Sequence, residues 1–245
     1  MTVFSLQIDG PVALLRIERE AARNAIPLAG WRELERLCGE ISQSDARVVL
    51  LHSSVAGIFS AGADIGEFPA FQANARRASD FRETMARSMG ALAALSVPVI
   101  VAVDGGCFGA AVALTLACDI CIAGDDASFA TTPAKLGLSY PASDVARLIE
   151  RVGRGRASAM LFSGERVYAD RALTIGLADI RAPSAKAEAH ELARRIAANA
   201  PGAIADIKQV LRAPDAAGHD ARFDARFASD ELAERLKAFQ EHKRS

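Results

Sequence analysis

Apolar positions along the chain alternate between the spacing of strands and the spacing of helices. Apolar, β-branched runs at 3–8 and 12–17 are separated by Asp-Gly-Pro, a pattern typical of a β-hairpin. Residues 28–43 carry apolar side chains at helical spacing, and the continuous apolar run at 47–52 is typical of a buried strand. The chain is therefore predicted to begin with a strand pair, followed by a helix that leads into a parallel strand.

Downstream the pattern becomes progressively helical. Residues 70–95 are rich in alanine and charge at helical spacing, and they lead into a buried strand predicted at 97–103. Short strands are predicted at 119–123 and 127–131, and from Ser143 onward the whole pattern is helical. We predict an α/β fold that ends in helices.

The closing helical segment divides the chain into two parts. A core is predicted over residues 1–195 and a C-terminal helical region over 196–245. The last predicted helix, 219–243, alternates phenylalanines and leucines with many charges. Two interpretations stay open: the helix packs on its own domain, or it lies on a neighbouring copy of the chain.

Composition and charge limit the classes of molecule that the chain is expected to bind. The chain has 245 residues, 51% of them apolar, and a formal net charge of −1, which fits one globular domain. The basic residues are mixed with acids, so we expect no nucleic-acid partner. No apolar run reaches the roughly 18 residues of a membrane span, and the N-terminus lacks the pattern of a secretion signal. We expect a cytoplasmic protein, with no membrane partner, that binds a small molecule or another copy of itself.

The four cysteines do not predict a metal site. Cys118 and Cys121 form a C-x-x-C pair, but a zinc site normally needs a second pair or histidines. Cys38 and Cys107 stand in apolar surroundings. We predict that the cysteines pack in the core, and we expect no metal.

Two glycine-bearing stretches, 58–68 and 104–120, each follow a predicted strand. In the second, Gly105, Gly106 and Gly109 allow a tight turn with positive φ into a helix of small residues. The first backbone N–H groups of such a helix have no partner within it, and they favour negative charge.

Familiar glycine motifs fit these stretches poorly. A dinucleotide fingerprint would need glycines where Cys107 and Ala110 stand. The sequence Ile-Phe-Ser-Ala-Gly comes close to a nucleophile elbow around Ser60, but Ile58 replaces its first glycine and no partner for a catalytic triad is evident. Both motifs are therefore disfavoured.

The two stretches resemble a known family. "FSAGADI" at 59–65 and the run at 104–138, together with "RNAI" at 23–26 and the closing "LKAFQEHKR", are similar to the crotonase, or enoyl-CoA hydratase/isomerase, superfamily. The resemblance implies a crotonase-type spiral of ββα units with a C-terminal helical region, assembled as a homotrimer or a dimer of trimers. It also implies an acyl-CoA thioester substrate, with coenzyme A present only as part of that substrate and no separate cofactor.

The resemblance also assigns candidate residues. It implies that the thioester carbonyl is held by the backbone N–H groups of Ala63 and Ala110, an oxyanion hole that needs no particular side chain. The positions implied to contact coenzyme A are Arg23, Ala25, Ala61, Asp64 and Ile65, with Phe239, His242 and Lys243 of the closing helix reaching a neighbour's coenzyme A.

The chain departs from the family where hydratases carry two glutamates. Those positions align with Ala113 and Pro133, neither of which can transfer a proton. We therefore expect ordinary hydratase activity to be weak.

Tyr140 and Asp144 are the remaining candidates for proton chemistry. The segment "TPAKLGLSY" is similar to that of decarboxylating members such as methylmalonyl-CoA decarboxylase, in which a tyrosine at the position of Tyr140 lies by the substrate carboxylate. Loss of CO₂ forms the enolate without a base, which slightly favours a decarboxylase or related lyase.

Asp144 supports other interpretations. Ser143 or Asp144 is expected to cap the following helix. If Asp144 instead faces the substrate, it favours an isomerase or a thioester hydrolase. A subunit that binds CoA thioesters without turnover also stays open, because the catalytic glutamates are missing.

Overall fold

The computed structural model describes residues 2–242. Within this range the strands form a six-stranded and a four-stranded sheet. The strands are β1 (Phe4–Asp9), β2 (Val12–Ile17), β3 (Val48–Ser53), β4 (Ile58–Ser60), β5 (Val99–Val103), β6 (Gly106–Phe108), β7 (Ile120–Gly124), β8 (Ser128–Ala130), β9 (Val167–Tyr168) and β10 (Ile180–Ala182).

Helices separate the strands and then take over the chain. They are α1 (Leu28–Ser42), α2 (Phe68–Gln72), α3 (Ala75–Ala94), α4 (Ala110–Leu116), α5 (Ala142–Val152), α6 (Arg154–Ser163), α7 (Ala169–Ile175), α8 (Ala185–Ala197), α9 (Pro201–Arg212), α10 (His219–Arg226) and α11 (Asp230–His242).

The two sheets are built by a repeating spiral. The larger sheet has the order β1-β2-β3-β5-β7-β10 and the smaller one β4-β6-β8-β9. β1 and β2 form an antiparallel hairpin, whereas β2, β3, β5, β7 and β10 are parallel neighbours. The central turns run from a strand of the larger sheet to a strand of the smaller sheet and then into a helix: β3-β4-α2-α3, β5-β6-α4 and β7-β8-α5. The predicted spiral of ββα units is confirmed.

Apolar side chains fill both faces of the larger sheet. One cluster is centred on fully buried aromatic residues, among them Phe4, Trp31, Phe59 and Phe129. On the opposite face, α8 places a stripe of buried alanines against Leu50, Ile100 and their neighbours. Small side chains let this helix approach the sheet closely.

Two short strands escaped the sequence prediction. β9 and β10 lie in the region whose pattern is helical throughout, and β10 completes the larger sheet by pairing with β7. Strands of two or three residues are too short to show an alternating pattern. The prediction of helix alone beyond Ser143 was therefore wrong at these points.

Two predicted helices are broken in the structure. The helix expected over 70–95 is divided into α2 and α3, and the side chain of Asn74 caps α3 by accepting the N–H groups of Arg76 and Arg77. The closing helix is divided into α10 and α11, with Ser229 accepting the N–H of Leu232 at 3.3 Å. Local capping side chains explain both interruptions.

The predicted boundary between residues 195 and 196 falls inside a helix. α8 continues to Ala197, and its buried alanines pack on the larger sheet. The chain leaves this sheet only at Ala198–Ala200, before Pro201 begins α9. The C-terminal helical region is therefore better described as α9 to α11.

Cysteines pack as predicted. Cys38, Cys107 and Cys121 are buried and free, and burial raises the pKa of Cys38 and of Cys121 to about 12. Cys118 is partly exposed, and its thiol donates to the carbonyl of Leu114 at 3.5 Å. Within residues 2–242, no helix combines the length and apolar character needed to cross a membrane, and no cluster of His, Cys, Asp and Glu offers three metal ligands.

Candidate active site

Two segments singled out in the sequence, 23–26 and 59–65, lie side by side. The N–H of Ala61 donates to the carbonyl of Arg23 at 3.0 Å, and the N–H of Ile26 donates to that of Gly62 at 2.7 Å. The N–H of Asp64 closes the set by donating to the carbonyl of Ile26 at 3.0 Å. These bonds hold the two segments together as one unit at the end of β4.

Buried polar side chains stabilise this unit. Asn24 has a φ of 57° and is fully buried, and its amide nitrogen donates to the carbonyl of Phe59 at 2.9 Å. Ser60 is also fully buried; its hydroxyl donates to the carbonyl of Asn24 at 2.6 Å and accepts the N–H of Gly62 at 3.0 Å. Ser60 therefore has a structural role, and the nucleophile elbow disfavoured from the sequence does not form.

The carboxylate of Asp64 is engaged within the protein. Oδ2 lies 2.7 Å from the guanidinium of Arg19, and Oδ1 accepts the N–H of Gly66 at 3.0 Å. Arg19 also donates to the carbonyl of Ala25 at 2.8 Å. Asp64 and Ala25 thus shape the loop. Both carboxylate oxygens of Asp64 already have partners within the protein, so neither is free for the predicted contact with coenzyme A. Arg19 was missed in the sequence because an isolated arginine carries no motif.

The second glycine stretch forms a sharp turn at the start of α4. Gly105 and Gly109 have positive φ values of 77° and 54°, whereas Gly106 lies in β6 without one. The N–H of Gly109 donates to the carbonyl of Ala130 at 2.9 Å, which ties the turn to β8. A side chain at Gly109 would be strained, so the predicted role for glycine is confirmed there.

Gly62 brings the two loops into contact. Its φ is 92°, and a Cβ at this position would lie 2.4 Å from the carbonyl oxygen of Phe108 and 3.0 Å from the backbone nitrogen of Ala110. The first distance is shorter than real Cβ contacts show, and the second is tighter than nearly all of them. Only glycine lets the loop after β4 lie this close to the start of α4.

The contact places two unused N–H groups at one cavity. Among the residues that the structure describes, no acceptor bonds to the backbone N–H of Ala63 or to that of Ala110. Both residues line the same cavity of about 910 Å³. Paired N–H donors that lack a protein acceptor can stabilise an oxygen that gains negative charge.

Aromatic and aliphatic side chains form much of the cavity wall. Phe71 and Phe81 stack with their centroids 4.9 Å apart, and Phe68 packs against the edge of Phe81 at 6.2 Å. Further lining residues are Ile65, Met85, Leu136 and Leu138. The phenylalanines were missed in the sequence, because their helical spacing is equally typical of core residues.

Tyr140 lines the cavity but its hydroxyl is engaged. It donates to the carbonyl of Gly109 at 2.7 Å, directly beneath the turn that presents Ala110. Burial first, and then the nearby carboxylate of Asp144, raise the pKa of Tyr140. The tyrosine is therefore a neutral hydroxyl that positions the glycine turn.

Asp144 is a buried carboxyl group at the cavity. Its relative exposure is 1%, and burial raises its pKa, against the opposing effects of Arg147 and Ser143. The guanidinium of Arg147 lies 3.2 Å from one carboxylate oxygen. The expectation that Ser143 or Asp144 caps α5 was wrong, because Pro141 occupies the N-cap and no side chain caps the helix.

Comparison with known proteins shows to which family the chain belongs. The model of the enoyl-CoA hydratase/isomerase family matches residues 7–244. The chain belongs to the enoyl-CoA hydratase/isomerase family. It is 32% identical to a short-chain-enoyl-CoA hydratase of Clostridium acetobutylicum, over 84% of this chain and 79% of the relative. It is 34% identical to a 2,3-dehydroadipyl-CoA hydratase of Escherichia coli, over 82% and 78%.

Solved structures agree with the family assignment. The crystal structure of an enoyl-CoA hydratase from Bacillus anthracis superposes with a TM-score of 0.91 at 27% identity, covering 98% of this chain and 96% of that one. The enoyl-CoA hydratase/isomerase family acts on acyl-CoA thioesters, and this chain is an acyl-CoA-processing member.

The two positions that the resemblance aligns with the glutamates of hydratases can now be located. Ala113 is fully buried inside α4, and Pro133 lines the cavity at the start of a short 3₁₀ turn. Asp144 is the one carboxylate among the described residues that line the cavity. Within residues 2–242, the enoyl-CoA hydratase/isomerase scaffold therefore carries a single acidic group at the cavity.

The remaining predicted contacts lie at the surface. Ala61 and the exposed Ile65 line the cavity, and Arg23 lies exposed on the adjoining turn. Phe239 lies on α11 with 61% of its surface exposed. Lys243 is outside the described residues.

Proposed function

We propose that the chain transfers a proton at an acyl-CoA thioester and shifts a carbon–carbon double bond, with Asp144 as acid and base. The observation that carries this proposal is a single buried carboxyl group at a cavity that also holds the unused N–H groups of Ala63 and Ala110. An enoyl-CoA isomerase needs only one group that removes a proton and returns it.

Under this proposal the substrate is a 3-enoyl-CoA. The carboxylate of Asp144 removes a proton from C2, and the electron pair of that C–H bond passes into a dienolate whose oxygen accepts the N–H groups of Ala63 and Ala110. The same carboxyl group then returns the proton to C4, which leaves a 2-enoyl-CoA. Loss of one such N–H donor typically costs ~10²–10³ in rate.

The environment of Asp144 suits both directions of transfer. Burial raises its pKa from the ordinary value of 3.8, which makes the carboxylate a stronger base and brings its pKa nearer to neutral pH. Ordinary hydration would require a second group to activate water, and the resemblance aligns the two glutamate positions of hydratases with Ala113 and Pro133.

Decarboxylation is the second candidate. Tyr140 donates its hydroxyl hydrogen to Gly109 at 2.7 Å, so this hydrogen is not free for a substrate carboxylate, which moves our preference away from the decarboxylase. Two features of the cavity still favour it: its apolar walls would desolvate a malonyl-type carboxylate, and Asp144 in its protonated form would supply the proton for the enolate that CO₂ leaves behind.

Three thioesters discriminate these functions: 3-hexenoyl-CoA, crotonyl-CoA and methylmalonyl-CoA. We expect turnover of 3-hexenoyl-CoA, observed by NMR and by the absorbance of the conjugated product. Asp144→Asn should reduce kcat by ~10²–10⁴, the usual contribution of general acid–base catalysis. Tyr140→Phe, which keeps the ring and removes the bond to Gly109, should cost clearly less.

Other outcomes have defined meanings. Turnover of methylmalonyl-CoA alone would replace the isomerase by the decarboxylase. Hydration of crotonyl-CoA at ~10³ per second, the upper part of the usual kcat range, would contradict both proposals. Tight binding of all three thioesters without any product would identify a non-catalytic binding subunit.

We further propose that the chain assembles as a homotrimer or a dimer of trimers, as the resemblance implies. Support comes from large apolar side chains exposed on α9 to α11: Leu211, Phe223, Phe227, Leu236 and Phe239. Exposed apolar surface of this kind marks contact sites. Sedimentation equilibrium should give a mass of three or six chains, and a monomer at micromolar concentration would contradict the assembly.

A further inference from the structure

Arg82 is the one cation among the described residues that line the cavity. It lies on α3, where Ala78, Phe81 and Met85 also line the cavity, at the spacing that shares one helix face. Arg82 therefore belongs to the cavity-facing stripe of this helix, although its side chain keeps 56% of its surface exposed.

The present partner of Arg82 holds it weakly. The guanidinium lies 2.8 Å from the carboxylate of Glu83, its neighbour in sequence, and both side chains are more than half exposed. Exposed pairs of this kind contribute little, so another anion could replace Glu83 at small cost. No other acidic residue is paired with Arg82 within residues 2–242.

The charged groups of the cavity are divided between its walls. The carboxyl group of Asp144 lies on α5, whereas Arg82 lies on α3 among Phe81, Phe71 and Met85. An acyl chain with its thioester oxygen at Ala63 and Ala110 could extend along the aromatic wall toward Arg82. A carboxylate near Asp144 would be repelled, whereas one near Arg82 would be attracted.

We propose that Arg82 recognises a carboxylate at the far end of the acyl chain, so that the preferred substrates are CoA thioesters of dicarboxylic acids. This inference rests on the proposed function, because it uses the same orientation of the thioester. It adds a substrate class and a specificity residue to that function. Phe71 and Phe81 would contact the methylene chain, and Arg82 would bind the terminal charge.

Binding of unreactive thioesters tests the inference separately from catalysis. Hexanoyl-CoA and adipoyl-CoA have acyl chains of equal carbon number and differ in the terminal carboxylate. We expect adipoyl-CoA to bind the wild-type chain about two- to fivefold more tightly in calorimetry, which is the effect of a partly exposed ion pair. The advantage should shrink as salt is added.

Matched variants identify the responsible residue. R82Q should remove the preference for adipoyl-CoA, and R82E should invert it. R77Q, on the same helix but outside the cavity lining, should leave the preference intact. Because Arg82 and Arg77 are both exposed, thermal melting should confirm that all three variants fold.

Free coenzyme A separates the carboxylate from the other anions of the substrate. If R82Q weakens adipoyl-CoA, hexanoyl-CoA and free coenzyme A by the same factor, Arg82 binds a phosphate of the coenzyme and the inference is overturned. Equal binding of the two thioesters to the wild-type chain would overturn it as well. Neither result depends on turnover, so a failed isomerase assay leaves this test valid.

Discussion

Gly62→Ala tests the contact between the two loops that present the backbone donors. The new Cβ would lie 2.4 Å from the carbonyl oxygen of Phe108 and 3.0 Å from the nitrogen of Ala110, both in the backbone. A φ of 92° adds strain that glycine does not have. Positive φ costs ~1–2 kcal/mol for an ordinary residue, and overlap in a packed region typically costs a further ~1–3 kcal/mol.

Gly57→Ala is the matched control for this substitution. Gly57 has a φ of 70°, but a Cβ there would meet nothing within 4 Å. Gly57→Ala should therefore lower the free energy of unfolding by ~1–2 kcal/mol, and Gly62→Ala by ~2–5 kcal/mol, in urea denaturation at one protein concentration. The difference between the two variants isolates the steric overlap.

Activity gives the second readout for Gly62→Ala. Relief of the overlap must move the loop after β4 away from the start of α4, which separates the N–H groups of Ala63 and Ala110. We expect kcat to fall by ~10²–10³, as when one oxyanion donor is lost, whereas Gly57→Ala keeps near-normal turnover. A Gly62→Ala protein as stable and as active as Gly57→Ala would refute the proposed packing of the two loops.

Three further predictions concern buried ionisable groups. Burial raises the pKa of Asp144 above 3.8, so the charged form of this side chain destabilises the fold. Asp144→Asn should therefore raise the melting temperature at pH 7. This gain should disappear as the pH falls below about 3.8, because Asp144 is then protonated in both the folded and the unfolded chain. An Asp144→Asn protein less stable than wild type at pH 7 would show that the pair with Arg147 outweighs burial. Lys208→Met should destabilise the chain by ~1–3 kcal/mol in urea, because Lys208 bonds to Asp119 at 2.7 Å and to the carbonyl of Val97 at 2.8 Å, and unchanged stability would contradict this role. The thiols of Cys38 and Cys121, with pKa values raised to about 12, should react with a thiol reagent at pH 8 only after unfolding, and rapid labelling of the native chain at either position would disagree with their burial.

Elements with a strong periodic pattern were predicted well. The hairpin of β1 and β2, the helix α1 and the strands β3 and β5 lie within two residues of their predicted bounds, because each buries a continuous or alternating apolar set. β9 and β10 were missed because their existence depends on partners distant in sequence, β8 and β7, rather than on their own residues.

In the candidate site too, some features were predictable from the sequence and others depend on packing. Glycines that permit positive φ are readable from the sequence, so the turn at Gly109 was expected. The direction of a side chain is set by packing and is not readable: Tyr140 donates to Gly109, and Asp144 lines the cavity instead of capping α5. Arg82 lies in a charged, alanine-rich helix whose cavity-facing side emerges only once α3 is packed against α1 and α2.

Placing both donors on the backbone also determines how the site would respond to a mutational scan. Ala63 and Ala110 supply N–H groups that nearly every substitution leaves in place, so replacing these residues would reveal little of their chemistry. The preceding residues, Gly62 and Gly109, hold the turns that direct these groups, and a side chain there changes the backbone itself. The sensitive positions in such a scan would therefore be displaced by one residue from the proposed donor atoms.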